Sequence, residues 1–360
     1  MKHGIIYNVS DGPYRYQAWP TVTMDENGVL YTVWSGRRVS HIDPFGVNMM
    51  SVSRDGGDTW SAPAIINDTW LDDRDAGICY LGKGKMIASW FNHPTGSYLN
   101  NYLEKILGAT NEYTYGMVKG LMDVYPHFTG EMNRYGSFIR ISKDYGTTWG
   151  EAIQVPVSAP HGPVYTKSGR LLYLGKAFAS DNDEENSAGL IKLYESFDEG
   201  ESWEYLSTLP TPEGLITEPY VTELPDGRLV GALRVNTKPH YTMALCISED
   251  GGKTWNGPIP TDISGSPPHF LQLSDGSAML TYGRREKPMG IRAVISKDGF
   301  KTWSDEILIT DEIVPATRGD LGYPSTVELP DGKLLTVYYA PVGNGDITSI
   351  MYTKWDKPQL

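Results

Sequence analysis

Asp75, His161, Glu218, His269 and Tyr323 are the residues of this chain whose types and spacing suit proton transfer and nucleophilic attack. They stand at matching levels of six similar segments. Nine positions before the turn glycine of each segment lie Trp19, Asp75, Pro160, Glu218, Pro267 and Tyr323. One step later come Pro20, Ala76, His161, Pro219, Pro268 and Pro324, and a step further Thr21, Gly77, Gly162, Tyr220, His269 and Ser325. The second half of several segments ends in cations: Arg37-Arg38, Lys176, Arg234 and Arg284-Arg285. Carboxylates, a phenol, imidazoles and guanidinium groups are therefore expected to converge on one face.

The segments that must position these groups read as hairpins. They are Thr21–Trp34, Gly77–Phe91, Pro163–Lys176, Tyr220–Arg234, His269–Tyr282 and Ser325–Tyr339. Each joins two apolar runs through a glycine turn such as Asn27-Gly28 or Asp226-Gly227, where glycine accepts a positive φ. Repeats at this wide spacing predict separate sheets around an axis, hence an all-β, six-bladed β-propeller over residues 1–360. Gly4–Asn8 is expected to join the last unit as its fourth strand, leaving no open edge. Residues 92–134 interrupt the second unit, and Leu99–Leu107 has helical spacing. This partly helical insertion reads as a lid or a contact between subunits of a homo-oligomer.

Five units carry a second signature. It runs Ser53-Arg-Asp55-Gly-Gly57-Asp-Thr59-Trp60, and recurs at Ser142–Trp149, Ser196–Trp203, Ser248–Trp255 and Ser296–Trp303. The Asp carboxylate should accept backbone N–H groups of a tight turn, the glycine supply the special φ, and the Trp pack beneath. In the fifth copy the glycine stands one place early, leaving Phe300 at its usual position.

Composition narrows the partners. The net charge of −13 opposes nucleic-acid or anionic-membrane binding, which need clustered Lys and Arg. Tyr and Trp, at 23 and 10, outnumber the 8 Phe, and suit half-exposed surfaces with one polar edge. Cys79 and Cys246 lie in apolar runs and read as buried small hydrophobes rather than a disulfide framework. No apolar stretch reaches the length of a signal peptide or a membrane span, so a soluble cytoplasmic protein is expected, or a secreted one had a leader been removed. No cofactor or metal is expected: Asp72, Asp73 and Asp75 cluster without a further ligand pattern.

The Ser-x-Asp-x-Gly-x-Thr-Trp signature resembles the Asp box, or bacterial neuraminidase repeat, of the sialidase superfamily, and the resemblance covers essentially the whole chain. It implies that the boxes lie on the face away from the active site. It also implies a glycoside hydrolase with a Tyr nucleophile, a Glu partner, an Asp acid/base and three arginines on the carboxylate of an acidic sugar. Gly322-Tyr323-Pro324-Ser325 before Glu328-Leu329-Pro330-Asp331-Gly332 is similar to the nucleophile segment, and Glu218 before Glu223-Leu224-Pro225-Asp226-Gly227 to the activating Glu segment. Arg234 matches an arginine of the triad; Arg284, Arg285 and Arg292 are open for another. Asp43 sits where the family places its acid/base, and Asp75 is the alternative. The family's first arginine precedes Ile-Pro, whereas this chain has Ala18-Trp19-Pro20. Arg15, Arg37 or Arg38 would have to substitute, so the implied substrate widens from sialic acid to another ulosonic acid or a uronic acid, carried on an oligosaccharide or glycoside; separately, the acidic cluster Asp72-Asp73-Arg74-Asp75 is expected to hold Arg74 toward the substrate. The resemblance thus implies an exo-acting, retaining hydrolase. A uronate lyase using His161 or His269 with Tyr323, and a glycan-binding propeller without chemistry, are the other readings.

Overall fold

The computed structural model describes residues 1–358, apart from 111, 178–188, 213–214, 238–239, 312–318 and 343–346. Residue 111 of the expected insertion lies outside them. Antiparallel hairpins form at all six glycine turns, for example Tyr220↔Ala232 through Glu223↔Leu229 and Ser325↔Val337 through Glu328↔Leu334.

The expectation of six separate blades is corrected. The described strands form five sheets, not six: one of eight strands, one of five and three of four. Four sheets stand alone as blades. The hairpins around Asn27-Gly28 and Asp331-Gly332 instead share the eight-stranded sheet. The joint is a parallel bridge between Tyr16 of strand Tyr16–Met24 and Thr348 of strand Ile347–Asp356. Counting hairpins counts units of sequence, but the count of sheets depends on this bridge between residues 332 positions apart. The amino-terminal strand Lys2–Tyr7 pairs with the outer side of Ile347–Asp356, so the chain's two ends meet in one sheet.

The apolar cores lie between neighbouring sheets. Leu172, Leu193 and Leu209 meet Leu229, Leu233 and Cys246 in one, and Val230, Leu245, Phe270 and Leu280 meet in the next. Cys79 belongs to another such cluster, and both cysteines are buried free thiols.

All five boxes form the same turn. In the first, Asp55 Oδ1 accepts the N–H of Asp58 and Thr59, Oδ2 accepts the Thr59 hydroxyl at 2.6 Å, and Ser53 Oγ accepts the Gly57 N–H. Two successive residues take positive φ in each box, and in the fifth Phe300 does so at +70°. Trp149, Trp203, Trp255 and Trp303 each pack on a different cluster between neighbouring sheets, and Trp60 packs on a cluster within the eight-stranded sheet. Four of the boxes therefore bolt neighbouring sheets together. Each follows the third strand of its repeat, which runs in the same sense as the first, so it lies at the end opposite the first strand's start. Gly252 has φ +98°, and a Cβ there would stand 2.6 Å from Leu193 Cδ2 and 3.0 Å from Leu206 Cδ2. Gly252→Ala is expected to destabilise the protein by roughly 2–4 kcal/mol through backbone strain and overpacking, read by denaturant unfolding. An unchanged midpoint would contradict this account of the box.

The insertion is a wall with its own core. Helical segments Leu103–Ala109 and Glu112–Val124 and the turns around them bury Tyr98, Ile106, Val118, Met122 and Tyr125, with Val39, Ile42 and Phe45 of the first hairpin's loop packed against them. Among the described residues no helix is long and apolar enough to cross a membrane.

Candidate functional site

The level that aligns Trp19, Asp75, Glu218 and Tyr323 has a shared backbone cause. These four are left-handed non-glycine residues, with φ of 56°, 50°, 47° and 50°. Each lies at a break in the pairing of its first strand, between Ala18 and Thr21, Arg74 and Gly77, Thr217 and Tyr220, and Gly322 and Ser325. A bulge of this kind re-aims a side chain that a regular strand would send to a sheet face. Strain of about 1–3 kcal/mol at each such residue persists where the surroundings hold it, and such residues gather at functional sites. In the other two hairpins the level is held by Pro160 and Pro267, whose rings exclude positive φ.

The turned-in side chains meet. The Tyr323 hydroxyl donates to Glu218 Oε1 at 2.6 Å. Arg234 pairs with the other Glu218 oxygen through Nη1, which also stands 3.4 Å from the Tyr323 hydroxyl. Arg285 lies over the Tyr323 ring, its guanidinium carbon 5.9 Å from the centroid. Burial tends to raise the Glu218 carboxyl, but the Arg234 guanidinium, the Tyr323 hydroxyl and Arg285 outweigh it and hold the group below its ordinary value. Burial, reinforced by the Glu218 charge, drives the Tyr323 hydroxyl well above its ordinary value. At rest the pair is a neutral phenol on a carboxylate. Asp75 completes the mouth: burial first, and the nearby Glu218 charge, push its carboxyl up to about 7 against the opposing pull of Arg74.

The floor is Trp19, buried and between cations. The guanidinium carbons of Arg74 and Arg38 stand 4.4 and 4.9 Å from its ring centroid. Asp72 is fully buried and pairs with Arg38 and, at 3.4 Å, with Arg74; it also accepts the Tyr98 hydroxyl of the insertion at 3.1 Å. Its charge is thus answered on three sides. Ala18, at the position where the resemblance implies an arginine, is buried and carries no charge. Arg74 and Arg38 bring their charge to the ring of the adjacent Trp19.

The remaining candidates fall elsewhere. Arg284 turns to Glu306, donating at 2.9 Å, and Arg292 to Glu306 and backbone carbonyls. Arg37 is half exposed beside Tyr14 and Asp68. Asp43 is buried, with its oxygens accepting the backbone N–H of Val39, Ser40 and Phe45 at 2.7–2.8 Å, which is the work of a turn. His161 and His269 are buried with Tyr220: the two imidazole rings are 5.0 Å apart, His161 bonds to Thr21, and His269 to Ser325 and Thr326. Burial lowers His161 to about 3 and carries His269 well below its ordinary value, so both are neutral.

One wall gives no sign of itself in the repeats. The hydroxyls of Tyr16 and Tyr339 donate to the two Asp320 oxygens at 2.8 and 2.7 Å, and His41 stands 3.3 Å from Asp320. Both tyrosines and His41 border Trp19, and Tyr339 lies 5.8 Å from Tyr323. Trp19 had a signal, since it shares the level of Asp75, Glu218 and Tyr323; Asp320 and His41 lie in loops without periodicity.

A mouth with a carboxylate-bound phenol, a proton-holding carboxyl and several guanidinium groups can carry out substitution at an electrophilic carbon beside an anionic group. Comparison with known proteins bears on the scaffold. The BNR repeat-like domain family matches residues 116–336, more than half of the chain. The chain belongs to that family. This BNR-repeat protein also has the fold of the sialidase superfamily. A protein of unknown function from Dyadobacter fermentans is similar over 99% of this chain and 98% of its own, at 23% identity and a TM-score of 0.78. The NanB sialidase of Streptococcus pneumoniae is 17% identical, with 98% of this chain and 70% of that one covered and a TM-score of 0.70. The intramolecular trans-sialidase of Ruminococcus gnavus is 17% identical over 99% and 98%, with a TM-score of 0.67. No curated protein matches the sequence.

Proposed function

We propose that this BNR-repeat protein is an exo-acting glycoside hydrolase that releases a terminal acidic sugar with retention of configuration. The observation that carries the reading is the 2.6 Å bond from Tyr323 to Glu218, flanked by Arg234 and Arg285. In the first step Tyr323 Oη attacks the anomeric carbon and its proton passes to Glu218 Oε1. The glycosidic C–O bond breaks, and the leaving oxygen takes the proton of Asp75. In the second step water attacks the same carbon and gives a proton to Asp75, while the bond to Tyr323 breaks and Glu218 returns its proton. Arg234, Arg285 and Arg74 hold the sugar's carboxylate. A neutral nucleophile is needed there, because an anionic one would be repelled by that carboxylate. The buried, neutral His161 and His269 support this reading over a lyase, since neither is paired to a group of the mouth.

Asp75 is preferred to Asp43 as the acid because the backbone already occupies the oxygens of Asp43. Asp43→Asn is expected to lower the melting temperature and leave the alkaline limb of the pH–rate profile unshifted; loss of that limb would move the acid role to Asp43. The reading as a whole is tested by incubating the protein with glycosides of sialic, other ulosonic and uronic acids and following products by proton NMR. A released acidic monosaccharide, first seen as the substrate's own anomer, is expected. An unsaturated, ultraviolet-absorbing product would exclude hydrolysis.

A further inference from the structure

Outside the mouth, a recess of about 230 Å³ opens between the insertion and the second hairpin's sheet. Its floor is Trp90 stacked on Phe138 at 5.6 Å and 24°, with Arg140 above Trp90 at 5.8 Å. Its rim is Trp70, together with Glu131 and Arg134 of the insertion, which pair at 3.8 Å. Trp70 is 60% exposed, yet its ring is set edge-on to Phe128 at 5.8 Å, so a large apolar face is presented to solvent in a defined place. A flat indole face ringed by charges of both signs fits a ligand whose ring is apolar above and below and hydroxylated at its edge. That is a neutral sugar; a fatty chain would leave the charges unanswered, and a nucleic acid would meet Glu131 and Glu151.

The recess is tied to the chain segment that carries Asp75. Thr69, next to Trp70, gives its N–H and hydroxyl to the Asp73 carboxylate at 2.8 Å each, and Asn92 stands 3.4 Å from it. Asp73 is two residues from Asp75. A general acid stands beside the leaving group, so a glycan leaving past Asp75 would run outward over this sheet toward Trp70.

We infer that the Trp70 recess is a leaving-group subsite that holds a neutral sugar unit of the substrate, which is therefore an oligosaccharide rather than a simple glycoside. The inference rests on the function proposed above, and two measurements separate their failures. The first is direct binding. Lactose and cellobiose are titrated into the Tyr323→Phe protein, followed by tryptophan fluorescence, and again with Trp70→Ala added. Saturable binding of at least one disaccharide at millimolar levels is expected, weakened about tenfold or more by Trp70→Ala, equivalent to 1.4 kcal/mol. Binding of neither disaccharide, or binding that survives Trp70→Ala, overturns the subsite. The second is turnover by Trp70→Ala of an acidic sugar on lactose against the same sugar on an aryl group. KM is expected to rise about tenfold for the first and stay within twofold for the second. Equal effects on both overturn the subsite, whereas full activity of Tyr323→Phe overturns the proposed function and leaves the binding result standing.

Discussion

Tyr323→Phe is expected to lower kcat for release of an acidic monosaccharide by about 10⁴-fold, with KM changed little, because it removes the attacking atom and almost nothing else. The ring is buried against Trp19 and Tyr339, and those contacts are kept. Only the hydroxyl that donates to Glu218 at 2.6 Å is lost. Glu218 retains its pairing with Arg234, so the mouth stays charged and folded. Unchanged near-ultraviolet circular dichroism and melting temperature should accompany the loss of turnover. Turnover within tenfold of the parent would end the assignment of Tyr323 as nucleophile.

Asp75→Asn carries the second large effect, and its direction depends on the leaving group. An acid must hold its proton to give it. The Asp75 carboxyl is raised to about 7, so it is protonated below that pH and ionises above it. Glu218 must be ionised to accept a proton, and it is held below its ordinary value of 4.5. The parent should therefore show a bell-shaped kcat/KM, rising below pH 4.5 and falling tenfold per unit above about 7. Asn at 75 should abolish the alkaline limb. It should lower turnover of a sugar–sugar bond by about 10²–10⁴-fold, while an aryl glycoside that leaves without a proton should suffer far less. An alkaline limb that persists in Asp75→Asn would point to another acid.

The same raised carboxyls shape stability. Asp73 is also pushed up to about 7 by burial. A carboxyl bound to its proton more tightly folded than unfolded loses stability as pH rises from its unfolded value toward its folded one. Both groups therefore work against stability between about pH 4 and 7, while the box aspartates, held low by their turn hydroxyls and N–H groups, work the other way as pH falls.

Much of this was legible in residue order because repeats make it so. The six hairpins, the five boxes and the common level of Trp19, Asp75, Glu218 and Tyr323 follow from turn chemistry that is local, with Gly at positive φ and Asp bonded within four residues. Local rules do not reach the choice among arginines. Arg284 and Arg285 are neighbours, yet Arg284, the last residue of strand Ala278–Arg284, turns to Glu306, while Arg285, just past the strand's end, lies over Tyr323. Nor do they reach Asp43, whose oxygens are occupied by its own loop, or the wall of His41 and Asp320, residues 279 positions apart.

The sequence by itself determined the all-β scaffold, its repeated hairpins, the five box turns and the level at which reactive groups could meet. Tertiary structure alone decided that two hairpins share an eight-stranded sheet, that His161 and His269 are buried, and that Arg74 lies over Trp19, next in sequence to the uncharged Ala18. The physical reason is range. Turn geometry and strand alternation are set within a few residues, whereas the pairing of buried charges and the joining of sheet edges depend on which distant segments the closed ring brings together.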